Sequence, residues 1–268
     1  MHRIRRSVAL VICAAVLGPA AGFAAAKTII SLSGSTSVYP LAVALATKYN
    51  KLYDVGFRIF QGGSDIGVND VAHGRVTIGD ASRDPLPSDP SGLYWYKIAR
   101  DAVCVITNPA NPISNLSQAE VQSIFDGSVT NWANVPGAGV TGAIDLVSRT
   151  SASGTADAFK QIFLGQNLNI SGTAVEKQSN GLVEQTVHAD PNAIGYVSLD
   201  FIAGTYPVPY KGVACTLRNA KAGSYPGVRN FWMITRGRAT GAAKKFILWV
   251  QHSSAANQIV GTNWIPLH

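Results

Sequence analysis

Three times in this chain an apolar, β-rich run ends in glycine and hydroxyl residues and then passes into a helical pattern. Residues 28–32 lead into Ser33-Gly34-Ser35-Thr36-Ser37-Val38-Tyr39-Pro40. Residues 56–60 lead into Gln61-Gly62-Gly63-Ser64-Asp65, and 144–148 into Arg149-Thr150-Ser151-Ala152-Ser153-Gly154-Thr155. A chain that alternates strand and helix this way belongs to the α/β class, with mostly parallel sheets. In such folds ligands meet the carboxyl ends of strands, where helices begin.

The rest of the pattern fits that class. Helices are expected over 40–50, where Leu41, Val43, Leu45 and Tyr49 are available for burial, and over 64–73, 118–125, 153–164 and 239–252. Ser117 followed by Glu120 is a capping box for the third of these. Further strands are expected over 77–79, 102–107, 194–197 and 231–235. Asn108-Pro109-Ala110-Asn111-Pro112 reads as a connector between two units.

The chemistry of the three loops is shared. The first turn of a helix presents unpaired N–H groups and a partial positive charge, which together suit a small oxyanion. Glycine lets the backbone approach closely, and serine and threonine hydroxyls add short donors. An arginine can hold two oxygens in a fork. Any one loop is adequately explained as an ordinary helix cap. Three together, with Arg149 four residues before Ser153, favour an anion-binding site.

The amino terminus reads as an export signal. Arg3, Arg5 and Arg6 precede an apolar stretch over 8–17, and Ala24-Ala25-Ala26 fits cleavage before Lys27. Lipidation at Cys13 is disfavoured, because Leu10-Val11-Ile12 are too large for that signal. The expected product is periplasmic or secreted. Removing the leader takes three of the positive charges that make the formal +7 of the whole chain. The modest excess that remains forms no basic stripe for nucleic acid. Cys104 and Cys215 remain, either as a bridge permitted by export or as two buried thiols.

Other motifs dissolve on inspection. Gly137-Ala138-Gly139-Val140-Thr141-Gly142 has the dinucleotide spacing, but no helix pattern follows it. No two of His73, His188 and His252 have metal-ligand spacing, and His73 and His252 suit helix ends. No Gly-x-Ser-x-Gly nucleophile elbow is present. No catalytic residue, metal or cofactor is therefore expected.

Taken in order, these segments resemble the phosphate-binding proteins of bacterial ABC importers, the PstS-like group of the periplasmic-binding superfamily. The resemblance rests on Gly34-Ser35-Thr36-Ser37-Val38, Gly62-Gly63-Ser64-Asp65-Ile66-Gly67-Val68, Ile78-Gly79-Asp80-Ala81-Ser82-Arg83, Arg149 with Ser153-Gly154-Thr155, and Ala193-Ile194-Gly195-Tyr196-Val197. It implies a two-lobed type II periplasmic-binding fold, with ligand in the cleft between lobes. Lobe I would take 27–106 and 200–268, and lobe II 107–199. It implies inorganic phosphate as ligand, an ABC permease of the inner membrane as partner, and a monomer.

The implied binding residues are Thr36, Ser37, Ser64, Arg149, Ser153, Gly154 and Thr155, with Arg83 added as a departure. Well-known members carry an aspartate at its position, accepting a proton from hydrogen phosphate. Here Asp65 or Asp80 would have to supply that acceptor, and a surface ion pair with Asp84 is the alternative role for Arg83. Alternatives for the whole chain are a receptor for another tetrahedral oxyanion such as sulfate, or an exported scaffold on the same fold.

Overall fold

A computed structural model describes residues 27–165 and 167–268, so the export signal and Cys13 lie outside the described residues. The chain runs β1 (Ile29–Gly34), α1 (Tyr39–Tyr53), β2 (Gly56–Gln61), α2 (Ser64–Ala72), β3 (Ile78–Ala81), β4 (Leu93–Thr107) and α3 (Gln118–Phe125). Then come β5 (Asp145–Arg149), α4 (Gly154–Phe159) continued by a π-helical turn over Lys160–Leu164, β6 (Val175–Lys177), α5 (Asn180–Ala189) and β7 (Ala193–Ser198). The last elements are β8 (Tyr206–Pro207), α6 (Leu217–Lys221), β9 (Val228–Arg236), α7 (Gly241–His252) and α8 (Ser254–Asn263).

The strands form one curled sheet in the order β2-β1-β3-β9-β4-β7-β5-β6, with β8 beside β4. Pairs joined through helices are parallel: β1 with β2 and β3, and β5 with β6 and β7. Every pair made by β4 or β9 is antiparallel. The mostly parallel sheet expected from the sequence is therefore mixed. The strand–helix units at the two ends impose parallel pairing, and the long strands between them run against their neighbours.

The apolar interior has two principal centres. One gathers Ile30, Leu32, Leu41, Leu45, Ile78, Ile98, Phe231, Phe246 and Trp264. The other gathers Val103, Val105, Phe125, Trp132, Phe159, Ile194 and Tyr196. Each large side chain fully buried this way contributes roughly 1.5–3 kcal/mol. β4 passes through both, since Ile98 and Ala99 belong to the first and 102–106 to the second.

Asn108–Pro112, expected as a connector, turns beside the second centre instead. Asn108 donates to the carbonyls of Val187 and His188, and Asn111 accepts from the Gly139 N–H. The crossing is made by β4 itself. Val208, Tyr210, Cys215, Ala220 and Tyr225 also pack in the second centre. Cys104 and Cys215 form a disulfide there, spanning 111 residues of sequence.

The capping box on α3 is present, with Glu120 N–H to the Ser117 hydroxyl at 3.3 Å and Ser117 N–H to the Glu120 carboxylate at 2.7 Å. The Gly137–Gly142 stretch is a loop with no helix behind it. His73 caps the end of α2 and His252 sits in the last turn of α7.

Candidate oxyanion site

β1, β2 and β5 each end at the same region, and the helices that follow aim their first turns into it. After β1, the Ser35 hydroxyl accepts the N–H groups of Ser37 and Val38, which folds the loop tightly onto the start of α1. Pro40 occupies the first turn of α1, whose cap position Val38 makes no side-chain cap. α2 begins after Gly63 at φ +126°, a conformation that favours glycine. A Cβ on Gly63 would lie 2.5 Å from the carbonyl oxygen of Ala152, in the third loop. Ser153 caps α4 by accepting the Ala156 N–H at 3.2 Å. Gly154 packs against the Ser64 hydroxyl so closely that a Cβ there would collide with it.

The loops that the sequence singled out therefore meet. Ser37 and Thr155 hydroxyls are 3.0 Å apart, Arg149 Nη2 donates to the Thr36 hydroxyl at 3.2 Å, and the Asp65 N–H donates to the Ala152 carbonyl at 3.2 Å. Thr36, Ser37, Ser64, Arg149, Ser153, Gly154 and Thr155 are all buried.

Arg149 sets the electrostatics. Only 3% of it is exposed. Its Nε donates to the Lys177 carbonyl, and Nη2 to the Gln178 carbonyl and Thr36. Its Nη1 has no hydrogen-bond partner. Its strand is anchored by the Tyr196 hydroxyl, which accepts the Arg149 N–H at 3.3 Å, and Tyr196 stacks on Phe159 at 3.9 Å. No carboxylate among the described residues forms an ion pair with it. Burial, with a smaller repulsion from Arg229, pulls its pKa down to about 10. A buried guanidinium without a counter-charge is costly, and an anion against Nη1 removes that cost.

Three further residues complete the setting, and sequence reasoning passed over them. Arg229 on β9 lies opposite Asp101 on β4 in the strand register, and its Nε and Nη2 reach one oxygen of Asp101 at 3.0 and 2.8 Å. Its Nη2 also reaches the Ser37 hydroxyl at 2.8 Å. Asn180, at the start of α5, donates to the hydroxyls of Thr36 and Ser37, both at 2.9 Å. The signal for the first two was available: single opposite charges inside apolar strands must be buried, and buried charges pair. Asn180 offered no signal, because asparagine after serine reads as loop.

Arg83 is a correction. It is buried, but its guanidinium turns to carboxylates: Nε and Nη2 to Asp65, Nη1 and Nη2 to Asp89, and Nη1 also to the Asp84 carbonyl. Asp157 of α4 comes within 3.3 Å as well. Burial works against its charge, but hydrogen bonds to Asp89 and Asp65 outweigh it and raise the pKa. Asp65, Asp89 and the Asp84 carbonyl take all five N–H groups of this arginine, so none is left for a ligand. The surface pair with Asp84 is not formed either, since the contact is with its backbone.

Asp65 is likewise committed to Arg83. Asp80 is fully buried, which pushes its pKa well up, and one of its oxygens has no partner. No cluster of metal-ligating side chains occurs among the described residues. No helix among them is long and apolar enough to cross a membrane.

Comparison with known proteins places the chain in a family. Residues 20–254 match the profile of the PBP superfamily domain. A phosphate-binding protein PstS of Bacillus subtilis is 27% identical over 245 residues, covering 89% of this chain and 80% of its own length. A Clostridium perfringens structure, described as a phosphate ABC transporter substrate-binding protein with bound phosphate, is 31% identical with a TM-score of 0.85. It covers 90% of this chain and 100% of its own. An ABC-type phosphate transport receptor from Vibrio cholerae is 27% identical with a TM-score of 0.71, covering 88% and 99%. With two lobes, an inter-lobe site and these relatives matched along most of their length, the chain belongs to the PBP superfamily and, within it, to the PstS-like group.

Proposed function

We propose that this chain captures inorganic phosphate between its two lobes and delivers it to an ABC importer. The observation that supports this most is Arg149: a buried guanidinium with a free Nη1 and no carboxylate partner, ringed by hydroxyls and helix starts. Arg149 offers its unpartnered Nη1 to the phosphate oxygens. The Thr36 and Ser64 hydroxyls donate from one lobe, where Ser37 holds the Thr155 hydroxyl, and Ser153, Gly154 and Thr155 donate from the other. Arg229 supports Ser37 from behind and is itself neutralised by Asp101.

The division of lobes that fits the two apolar centres is 27–101 with 228–268, and 102–227. The return to the first lobe comes later than residue 200, because 208–225 packs in the second centre. Phosphate bridging both lobes favours the closed arrangement, a population shift about the crossing strands β4 and β9. The closed surface is what the permease of the inner membrane reads. The chain acts as a monomer in the periplasm or outside the cell, after loss of its leader.

The reading is of a binding protein and not an enzyme. Ser64, the most nucleophile-like position, has Ser82 as its hydrogen-bond partner rather than a histidine. Thermal unfolding of ligand-stripped protein with and without phosphate separates the readings. A receptor gains stability with the logarithm of phosphate concentration above Kd. An exported scaffold that has lost its ligand shows no shift, and a phosphatase would release phosphate from an ester.

A further inference from the structure

Asn180 lies wholly inside the protein, and each of its three hydrogen bonds has a direction that cannot reverse. Its Oδ1 accepts the backbone N–H of Ser198 at 3.0 Å. A backbone N–H can only donate, so the amide orientation is fixed and Nδ2 faces the first loop. The two Nδ2 protons go to the Thr36 and Ser37 hydroxyls, one each at 2.9 Å. Thr36 Oγ1 also accepts from Arg149 Nη2, and Ser37 Oγ also accepts from Arg229 Nη2. Both lone pairs of each hydroxyl are then filled by donors that never act as acceptors. What remains to each is its own proton. Ser37 must give its proton to Thr155 Oγ1 at 3.0 Å, and Thr36 has its proton available for a ligand.

We propose that Asn180 is a positioning residue that sets the hydrogen-bond polarity of the site, forcing Thr36 to act only as a donor toward unprotonated oxyanion oxygens and Ser37 only as a donor to Thr155. This rests on the phosphate reading above and deepens it. The device also couples closure to binding. Asn180 belongs to the lobe that carries Arg149, while Thr36 and Ser37 follow β1 in the other, so the polarity is imposed only when the lobes meet. A hydroxyl left free could turn a lone pair toward the anion, and each such turn replaces an attraction by a repulsion.

Two variants separate polarity from packing. Asn180→Ala removes the amide and leaves both hydroxyls free to rotate. Asn180→Asp keeps the shape and the Ser198 contact, but puts an acceptor and a negative charge where Nδ2 was. If Asn180 only fills space, the isosteric variant is the milder of the two. If it sets polarity, the order inverts: the alanine variant binds phosphate about 10-fold more weakly than wild type and the aspartate variant about 100-fold or more.

Phosphate affinity is read by calorimetry at several pH values, with thermal unfolding of the ligand-free proteins to establish that both variants fold. The ratio between the variants narrows as pH falls and the introduced carboxylate protonates. Arg149, Tyr196, Asp80, the Arg229–Asp101 pair and the Arg83 cluster with Asp65, Asp89 and Asp157 also carry charge or titrate around the site, and they cancel in that ratio because both variants keep them. An aspartate variant that binds as well as the alanine variant or better overturns the inference. A wild-type protein that fails to bind phosphate overturns the phosphate reading and this inference with it.

Discussion

Arg149 is held in place by two backbone carbonyls and a hydroxyl, none of which carries a charge to balance its own. That arrangement is stable only if the missing charge arrives from outside. Arg149→Ala should weaken phosphate binding by about 2–5 kcal/mol, the usual cost of truncating one partner of a buried charged pair. Arg149→Lys should recover only part of it, because one ammonium cannot keep the contacts to Lys177, Gln178 and Thr36 while also reaching the ligand. Isothermal titration of both variants checks this, and unchanged affinity in Arg149→Ala would remove Arg149 from the site. Gly154→Val drives a side chain into the Ser64 hydroxyl, so it should block lobe closure and abolish binding while leaving each lobe folded; small-angle scattering with excess phosphate would then report the open form.

At this scale the sequence showed the three loops that the fold brings together, because their spacing on strand–loop–helix units is local. It did not show Asn180 or Arg229, which reach the site through tertiary contacts 143 and 192 residues from Ser37 in the chain. The partners of Arg83 are nearer, Asp89 and Asp65 at 6 and 18 residues, but the path of the loop after β3 rather than sequence spacing brings them together.

Among the elements, α4 does two things at once. Its first turn presents Ser153, Gly154 and Thr155, and its next residue but one, Asp157, reaches toward Arg83 across the cleft. Burial, and then the nearby Asp65, raise the Asp157 pKa from 3.8 to about 6, with Arg83 only partly opposing them. Between those values the folded, closed chain holds a proton that the unfolded chain has released. This carboxylate therefore lowers stability as pH rises from about 4 to 6, and its cost is fully present above 6. Asp157→Asn should raise the melting temperature at pH 7–8 and flatten its fall across that window; a lower melting temperature at neutral pH would show that pairing with Arg83 dominates instead.

Elements with strong periodicity or a capping signature were legible, α1 and α3 among them. The first half of β4 was not, because Lys97, Arg100 and Asp101 interrupt its apolar pattern. α8 was not either: half of Ser254–Asn263 is polar, and it buries only Ala256 and Val260.

For the molecule as a whole, the α/β class was legible because alternating strand and helix leaves few architectures, and the glycine loops mark strand ends within them. The mixed sheet was not, since pairing between β4 and β9 is a long-range choice. The Cys104–Cys215 bridge joins two segments of one apolar centre and does not span the crossing. Replacing both cysteines by alanine should cost about 2–5 kcal/mol, or roughly 5–15 °C in melting temperature for a chain of this size, with phosphate affinity retained. Loss of binding in a folded double variant would place the bridge in the mechanics of closure.

The most direct test of the account is calorimetric titration of phosphate into ligand-stripped protein, wild type beside Arg149→Ala. Tight, saturable binding of one phosphate per chain that the Arg149 variant loses is the predicted result. No heat of binding with wild type, or equal binding by both, would contradict a phosphate site built around Arg149.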